Sequence, residues 1–260
     1  MTDPRETPDP DLVTRNAPAQ ITTTVSDLCR APQGPRDRQL IFGDAVTVLG
    51  DLQGWRLIRA QKDGYCGYVA ASDLGAQTKA SHRVTAPSTQ IYARADIKSP
   101  DTQWLTFGSV LAAVAVTDDF VETAMGFVPK QHVDPIHVQS QNPTDIAGLF
   151  LGTPYLWGGN TRLGIDCSGL VQAACLACGV PCPGDSDQQQ KHLGRMQPAG
   201  SKPRPGDLLF WKGHVALVKD ADRLIHANGH HMAVVLEPIA DAIARIAAQG
   251  GGPVTAHKRL

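Results

Sequence analysis

The sequence has no run of Lys and Arg, and its formal net charge is only −1. Neither feature supports a nucleic-acid partner, which normally leaves a basic patch or stripe, and none is expected. Long apolar runs are also missing. The longest, Val110 to Val116, falls far below the ~18 residues needed to cross a bilayer, so no membrane segment is expected. The opening Met1-Thr2-Asp3-Pro4-Arg5-Glu6 has neither a positively charged start nor an apolar core; it does not read as a secretory leader, and the cytoplasm is the expected location. Six cysteines in 260 residues are too few for a disulfide scaffold, and cytosolic thiols stay reduced. What is present is ordinary globular composition, 42% hydrophobic and 19% charged, at a length with room for more than one domain. A small polar substrate suits this balance.

The cysteines divide by context. Cys29 and Cys66 read as small buried hydrophobes. Cys175, Cys178 and Cys182 do not read as a metal site, because the first two share one helical pattern and no second Cys or His pair stands at finger or ribbon spacing. Cys167 is different. A turn-like Gly164-Ile165-Asp166 leads into it, and Ser168 to Cys178 reads as a helix ended by Gly179. Its sulfur is thus expected at a helix N-terminus, where unpaired N–H groups and the helix dipole favour thiolate over thiol and lower the pKa.

Along the chain, residues 1–20 are proline-rich and aperiodic, a loose arm or a strap. Short alternating segments follow at Thr22-Val25, Gln39-Phe42, Ala45-Leu49, Trp55-Ala60 and Gly67-Val69, broken by Gly/Asp turns, the pattern of a small β-barrel. Their order resembles a bacterial SH3 domain over residues 21–76. His82-Val84, Thr89-Tyr92, Thr106-Leu111, Phe120-Glu122 and Met125-Pro129 repeat it over 81–137, which argues for tandem barrels. Asn142-Pro143-Thr144 caps a helix from Asp145 to Leu151 and opens a third domain, 142–260. There the helix after Cys167 precedes a polar loop, Pro181 to Lys202. Strands at Asp207-Trp211, His214-Lys219, Arg223-Ala227 and Val234-Leu236 come next, then a helix from Ile239 to Gln249 and an edge strand from Val254 to His257. Helix first and antiparallel sheet after means a segregated α+β domain.

A thiolate that attacks a carbonyl needs a base, and the base needs a partner that fixes its tautomer and aim. His214 opens an apolar strand and His226 lies near the end of the next, so a hairpin through Lys219 to Asp222 brings Cys167, His214 and His226 to one edge. His230 and His231 follow a turn and read as solvated, and His192 and His257 have no partner visible in sequence.

Five stretches in this order resemble the NlpC/P60 family of cysteine peptidases: Gly152-Thr153-Pro154-Tyr155-Leu156-Trp157-Gly158-Gly159, Asp166-Cys167-Ser168-Gly169-Leu170-Val171, Arg204-Pro205-Gly206-Asp207, Gly213-His214-Val215-Ala216-Leu217-Val218 and Leu224-Ile225-His226-Ala227. The resemblance implies a papain-like core, so the fold class is multidomain: two small all-β SH3-like barrels followed by an α+β papain-like domain. It also implies Cys167 as nucleophile, His214 as base and His226 as its orienting partner, with no cofactor or metal. With the barrels upstream, the layout is similar to γ-D-glutamyl-L-diamino acid endopeptidases, which act on muropeptides with a free N-terminal L-Ala in peptidoglycan recycling. By the same resemblance Tyr155, Asp166, Ser168, Asp185 and Ser186 line the substrate pocket, with Tyr65 contributed by the first barrel. Asp166 also reads as a helix cap. The pattern departs from the family in the first barrel, where Asp37 in Gly34-Pro35-Arg36-Asp37-Arg38 is the nearest replacement for an acidic residue, and at Gly184, where a basic residue is common. Two other readings share these residues: a thiol acyltransferase or amidase acting on a non-muropeptide substrate, and an inert cell-wall-fragment binding module.

Overall fold

A computed structural model describes residues 3–260. The chain divides into two compact units, Met1–Val138 and Gln139–Leu260. Among the described residues, no helix is long and apolar enough to cross a membrane.

The first unit is β throughout. One antiparallel sheet runs in the order Arg36–Ile41, Val25–Cys29, Cys66–Ala70, Trp55–Ala60, Ala45–Leu52, Ala17–Ile21, Leu74–Gly75. Alternation along its strands buries Ile21, Leu28, Leu40, Val46, Ile58 and Val69 in a common core. The hairpin between Leu52 and Trp55 turns through Gln53 (φ 44°) and Gly54 (φ 86°), two left-handed residues whose backbone matches the twist of the strands they join. A second group of strands has its own core of Val84, Ile91, Leu105, Val121 and Val128, to which Phe42 of the first segment is added. It consists of a five-stranded sheet, Asp101–Thr106, Ser88–Tyr92, Gly126–Pro129, Phe120–Thr123, Ala113–Val116, and a three-stranded one, Val110–Leu111, His82–Val84, Val133–Pro135.

Some expected elements sit elsewhere. Thr22 to Thr24 is a connection between two strands, not a strand, because hydroxyls there bond locally or across to other backbone, as Thr24 Oγ1 does to the Trp104 carbonyl at 2.7 Å. The segment expected as one strand from Thr106 to Leu111 breaks at Phe107 to Ser109, where Gly108 adopts φ 85°. The N-terminal arm is a strap, and its last residues already belong to the sheet. The Cys66 N–H donates to Arg5 O at 2.7 Å, Thr14 and Arg15 N–H both reach Leu49 O, and Ala17–Ile21 pairs with Ala45–Leu52.

The second unit holds four helices and a six-stranded antiparallel sheet. The helices are α1 (Pro143–Gly148), α2 (Cys167–Ala177), α3 (Ser186–His192) and α4 (Ile239–Ala248). The sheet strands in chain order are β1 (Arg195–Met196), β2 (Asp207–Trp211), β3 (His214–Val218), β4 (Arg223–Asn228), β5 (Ala233–Pro238) and β6 (Ala256–Arg259), and their spatial order is β1-β6-β2-β3-β4-β5. Ala216, Val218 and Leu224 share one face with Leu209 and Trp211 and pack on Ala242 and Ile246 of α4. The alternate residues Val215, Leu217, Ile225 and Ala227 are buried on the other face, the side left for α2, which contacts β3 and β4. Leu170 and Val171 of α2 are 1% exposed, and each such side chain contributes about 1.5–3 kcal/mol by leaving water.

Two corrections matter for the site. The polar loop expected from Pro181 to Lys202 contains α3, and Gln188 and Gln189 are buried on it. Its polar sequence hid the helix because the buried face is made of amides rather than apolar residues. The last strand is also not at an edge: β6 pairs with β2 on one side and β1 on the other.

Candidate active site

The turn before α2 and the helix start are built on one carboxylate. Asp166 is the N-cap: its Oδ1 accepts from the Gly169 N–H at 2.7 Å and from the Ser168 hydroxyl at 3.0 Å, and its Oδ2 accepts from the Gly158 N–H at 2.8 Å. The Gly158–Gly159 loop and the helix are thereby tied together in front of Cys167. A second tether comes from α3, where the fully buried Gln189 donates through Nε2 to Ser168 O and to Pro183 O, both at 2.9 Å.

Cys167 is the first residue of α2 and is buried. Burial pushes its thiol up to about 12, the Asp166 charge acts the same way, and backbone N–H donors of Val215, Ser168 and Cys167 itself oppose the rise without offsetting it. The expected lowering by the helix terminus is therefore overturned. A dipole end worth a fraction of a charge does not compensate for removing a thiolate from water. The resting sulfur is a neutral thiol, and its proton must leave as attack begins. The Val215 donor also places the sulfur beside the start of β3, where His214 stands.

β3 and β4 form the expected hairpin, with Leu217 opposite Ile225, Val218 opposite Leu224 and the Lys219 N–H closing on Arg223 O. That register puts His214 and His226 on one face as diagonal neighbours. His214 Nε2 lies 2.9 Å from His226 Nδ1, with ring centroids 5.1 Å apart. Both rings are held neutral. Burial brings His214 down to about 3, the neighbouring His226 and Arg245 lower it further, and Glu237 opposes; burial likewise brings His226 to about 4 against the pull of Glu237. A neutral imidazole is the form that accepts a proton.

The other expected site residues are placed as follows. Tyr155 is half-buried and its N–H donates to Met232 O at 2.9 Å. Its phenol is raised well above the usual value by burial and then by Cys167 and Asp166, so it stays protonated as a donor near both. Asp185 is the N-cap residue of α3 and Ser186 its first residue. Tyr65 lies in the first unit, 3% exposed in the core of its sheet, with the Arg38 guanidinium 5.2 Å above its ring. Asp37, also in that unit, is paired with Arg30 at 2.6 Å and lines a cavity of about 150 Å³ with Pro4, Arg5 and Tyr68.

Sequence reasoning missed Glu237 and Arg245. Glu237 Oε2 lies 2.9 Å from His226 Nε2 and is held in turn by Arg245. Only the strand register reveals it: Glu237 lies two residues beyond Val235, the residue paired with His226, on the same face of β5. His257, read as partnerless, lies 2.6 Å from Asp207.

Two stretches of the chain match family models: residues 152–245 match the NlpC/P60 family, and residues 28–74 match the bacterial dipeptidyl-peptidase Sh3 domain. The chain is similar to the γ-D-glutamyl-L-lysine dipeptidyl-peptidase of Bacillus subtilis (strain 168), 30% identical over 216 residues that cover 73% of this chain and 71% of that protein. It is similar also to dipeptidyl-peptidase 6 of Lysinibacillus sphaericus, 29% identical over 221 residues covering 73% and 79%. The solved structure of an NlpC/P60 family protein from Bacillus cereus has the same fold, with a TM-score of 0.77 at 19% identity over 94% of this chain and 99% of that one. A buried cysteine at a capped helix start, a strand-borne histidine pair beside it and matches that run through both the sheet and the relatives' length lead to one assignment: the chain belongs to the NlpC/P60 family.

Proposed function

We propose that this chain is a cysteine peptidase that hydrolyses the γ-D-glutamyl–diamino acid bond of muropeptides with a free N-terminal L-Ala, in peptidoglycan recycling. The observation that carries the reading is the 2.9 Å His214–His226 contact at the strand start whose Val215 N–H meets the Cys167 sulfur. The name of the similar γ-D-glutamyl-L-lysine dipeptidyl-peptidase supports the substrate class. We assign an SH3-like domain to 21–76, a second to 81–137 and a papain-like catalytic domain to 142–260. The separate cores of the two strand groups and the helix-then-sheet order of the second unit support this division.

In the proposed mechanism the Cys167 S–H proton passes to His214 as sulfur attacks the γ-glutamyl carbonyl. The oxyanion is held by the Cys167 N–H, a helix-start donor that faces the sulfur, and by the protonated Tyr155 hydroxyl. His214 returns the proton to the leaving amine of the diamino acid, the C–N bond breaks, and water hydrolyses the resulting thioester. The substrate ammonium is read by Asp166 and Ser168, with Asp185 and Ser186 further along the pocket. Incubation with L-Ala-γ-D-Glu-diaminopimelate followed by acid quench tests the chemistry. A mass increment of the L-Ala-γ-D-Glu acyl group on the Cys167 peptide, absent from Cys167→Ala, is expected. Cleavage that survives Cys167→Ala contradicts the mechanism.

A further inference from the structure

The histidine pair is the start of a longer line that crosses one element at a time. His214 is on β3, His226 on β4, Glu237 on β5 and Arg245 on α4. His226 Nε2 lies 2.9 Å from Glu237 Oε2, and Arg245 grips both carboxylate oxygens, Nε to Oε1 at 2.9 Å and Nη2 to Oε2 at 2.7 Å. Glu237 and His226 are buried.

The proton positions follow from this chain. Arg245 holds the Glu237 carboxyl below its usual range, so the group is a carboxylate and accepts only. His226 Nε2 must then carry the hydrogen that it donates to Glu237, and its Nδ1 is left as an acceptor. That acceptor faces His214 Nε2, which must donate. The nitrogen of His214 left with a lone pair is Nδ1. One neighbour competes: Asn228 Nδ2 lies 3.0 Å from His226 Nε2, and its amide is oriented by Asn228 Oδ1, which accepts the His231 N–H at 2.8 Å. It therefore presents an N–H to the nitrogen that already carries one. A bond to a full negative charge is about twice as strong as a neutral one, so the carboxylate decides the tautomer.

We propose that Glu237, locked by Arg245, is a positioning residue that sets the tautomers of both His226 and His214 and so leaves His214 Nδ1 as the atom that takes the Cys167 proton. The inference rests on the reading of Cys167 and His214 as nucleophile and base. When the S–H bond breaks and Nδ1–H forms, His214 becomes an imidazolium whose charge faces His226. Glu237 offsets that charge, Arg245 opposes it, and the proton leaves again with the amine product.

Long-range ¹⁵N–¹H spectra of the histidine rings in the full chain at neutral pH test this without any substrate. Both His214 and His226 are expected as Nε2–H tautomers, and Nδ1–H in either overturns the inference. Removing the carboxylate in Glu237→Leu leaves Asn228 as the partner of His226 Nε2, so both rings should switch to Nδ1–H. A folded variant with unchanged tautomers would mean that Glu237 only ties α4 to the sheet. In Glu237→Gln, kcat should fall by roughly ten- to a hundredfold with KM little changed, a fraction of what a positioned acid–base group supplies; a change confined to KM counts against the proposal. If Glu237→Leu does not fold, the wild-type spectrum still decides. Nε2–H tautomers in a chain that cleaves no γ-D-glutamyl peptide would uphold this inference and remove the substrate reading.

Discussion

Arg259 Nε lies 2.7 Å from Asp207 Oδ1, joining the C-terminal strand β6 to β2, the strand that leads into His214. Asp207 is completely buried, and it also accepts from Arg259 Nη2, from His257 Nε2 and from the Arg204 N–H. Burial alone would raise its carboxyl; the bonds from Arg259 and His257 hold it at about 2. Because the folded value lies below the unfolded 3.8, the folded state binds this proton less readily, and the stabilisation is complete above the unfolded value. It amounts to about 2 kcal/mol and is lost as pH falls from about 4 through 2. Urea titrations of the wild type and Asp207→Asn should show the variant less stable at pH 7, with the gap narrowing as pH drops below 4. A gap that widens with acidity would contradict the assignment.

The neutral thiol has a kinetic consequence. With Cys167 pushed up to about 12, thiolate is a minor species at neutral pH. Its alkylation by iodoacetamide, followed by peptide mapping, should be slow at pH 7 and accelerate by roughly tenfold per unit toward pH 10. A plateau already reached below pH 7 would mean a resting thiolate. His214, held near 3, should leave the acidic limb of kcat/KM below the ordinary imidazole range, where a limb centred near 6.5 would contradict the neutral pair.

Gly169 sits where the Gly158–Gly159 loop crosses the start of α2. A Cβ there would meet Asn160 Oδ1 at 2.4 Å and Gly159 O at 2.6 Å, and the second is backbone that cannot swing away. Although alanine favours a helix, Gly169→Ala should destabilise the chain by about 1–3 kcal/mol through overpacking. Thermal unfolding reads this directly; an unchanged or higher midpoint would show that the loop gives way freely.

Much of the second unit was legible because its strands are short, apolar and bounded by turns: Asp207–Trp211 was read at its observed ends, and the His214–His226 hairpin at its observed turn. Cys167 was legible from a cap and a C-terminal glycine, Gly179 at φ 71°. Three things were not. The buried amide face of α3 carries no hydrophobic period. The partners of His226 and His257 depend on strand register and on sheet order, which put residues 11 and 50 positions apart in contact. The thiol's acidity depends on how much water the folded pocket admits, a quantity that a helix-terminus argument from sequence leaves out.

The proposed function turns on a cysteine peptidase that reads a free amine on its substrate. Its most direct test is the rate of cleavage of L-Ala-γ-D-Glu-diaminopimelate beside the same peptide N-acetylated on alanine. The account predicts release of L-Ala-γ-D-Glu from the free-amine peptide, loss of that activity in Cys167→Ala, and little or no cleavage of the acetylated form, since blocking the ammonium removes its charge-assisted bonds. Equal rates on the two peptides would contradict amine recognition, and cleavage of neither would contradict the proposed activity.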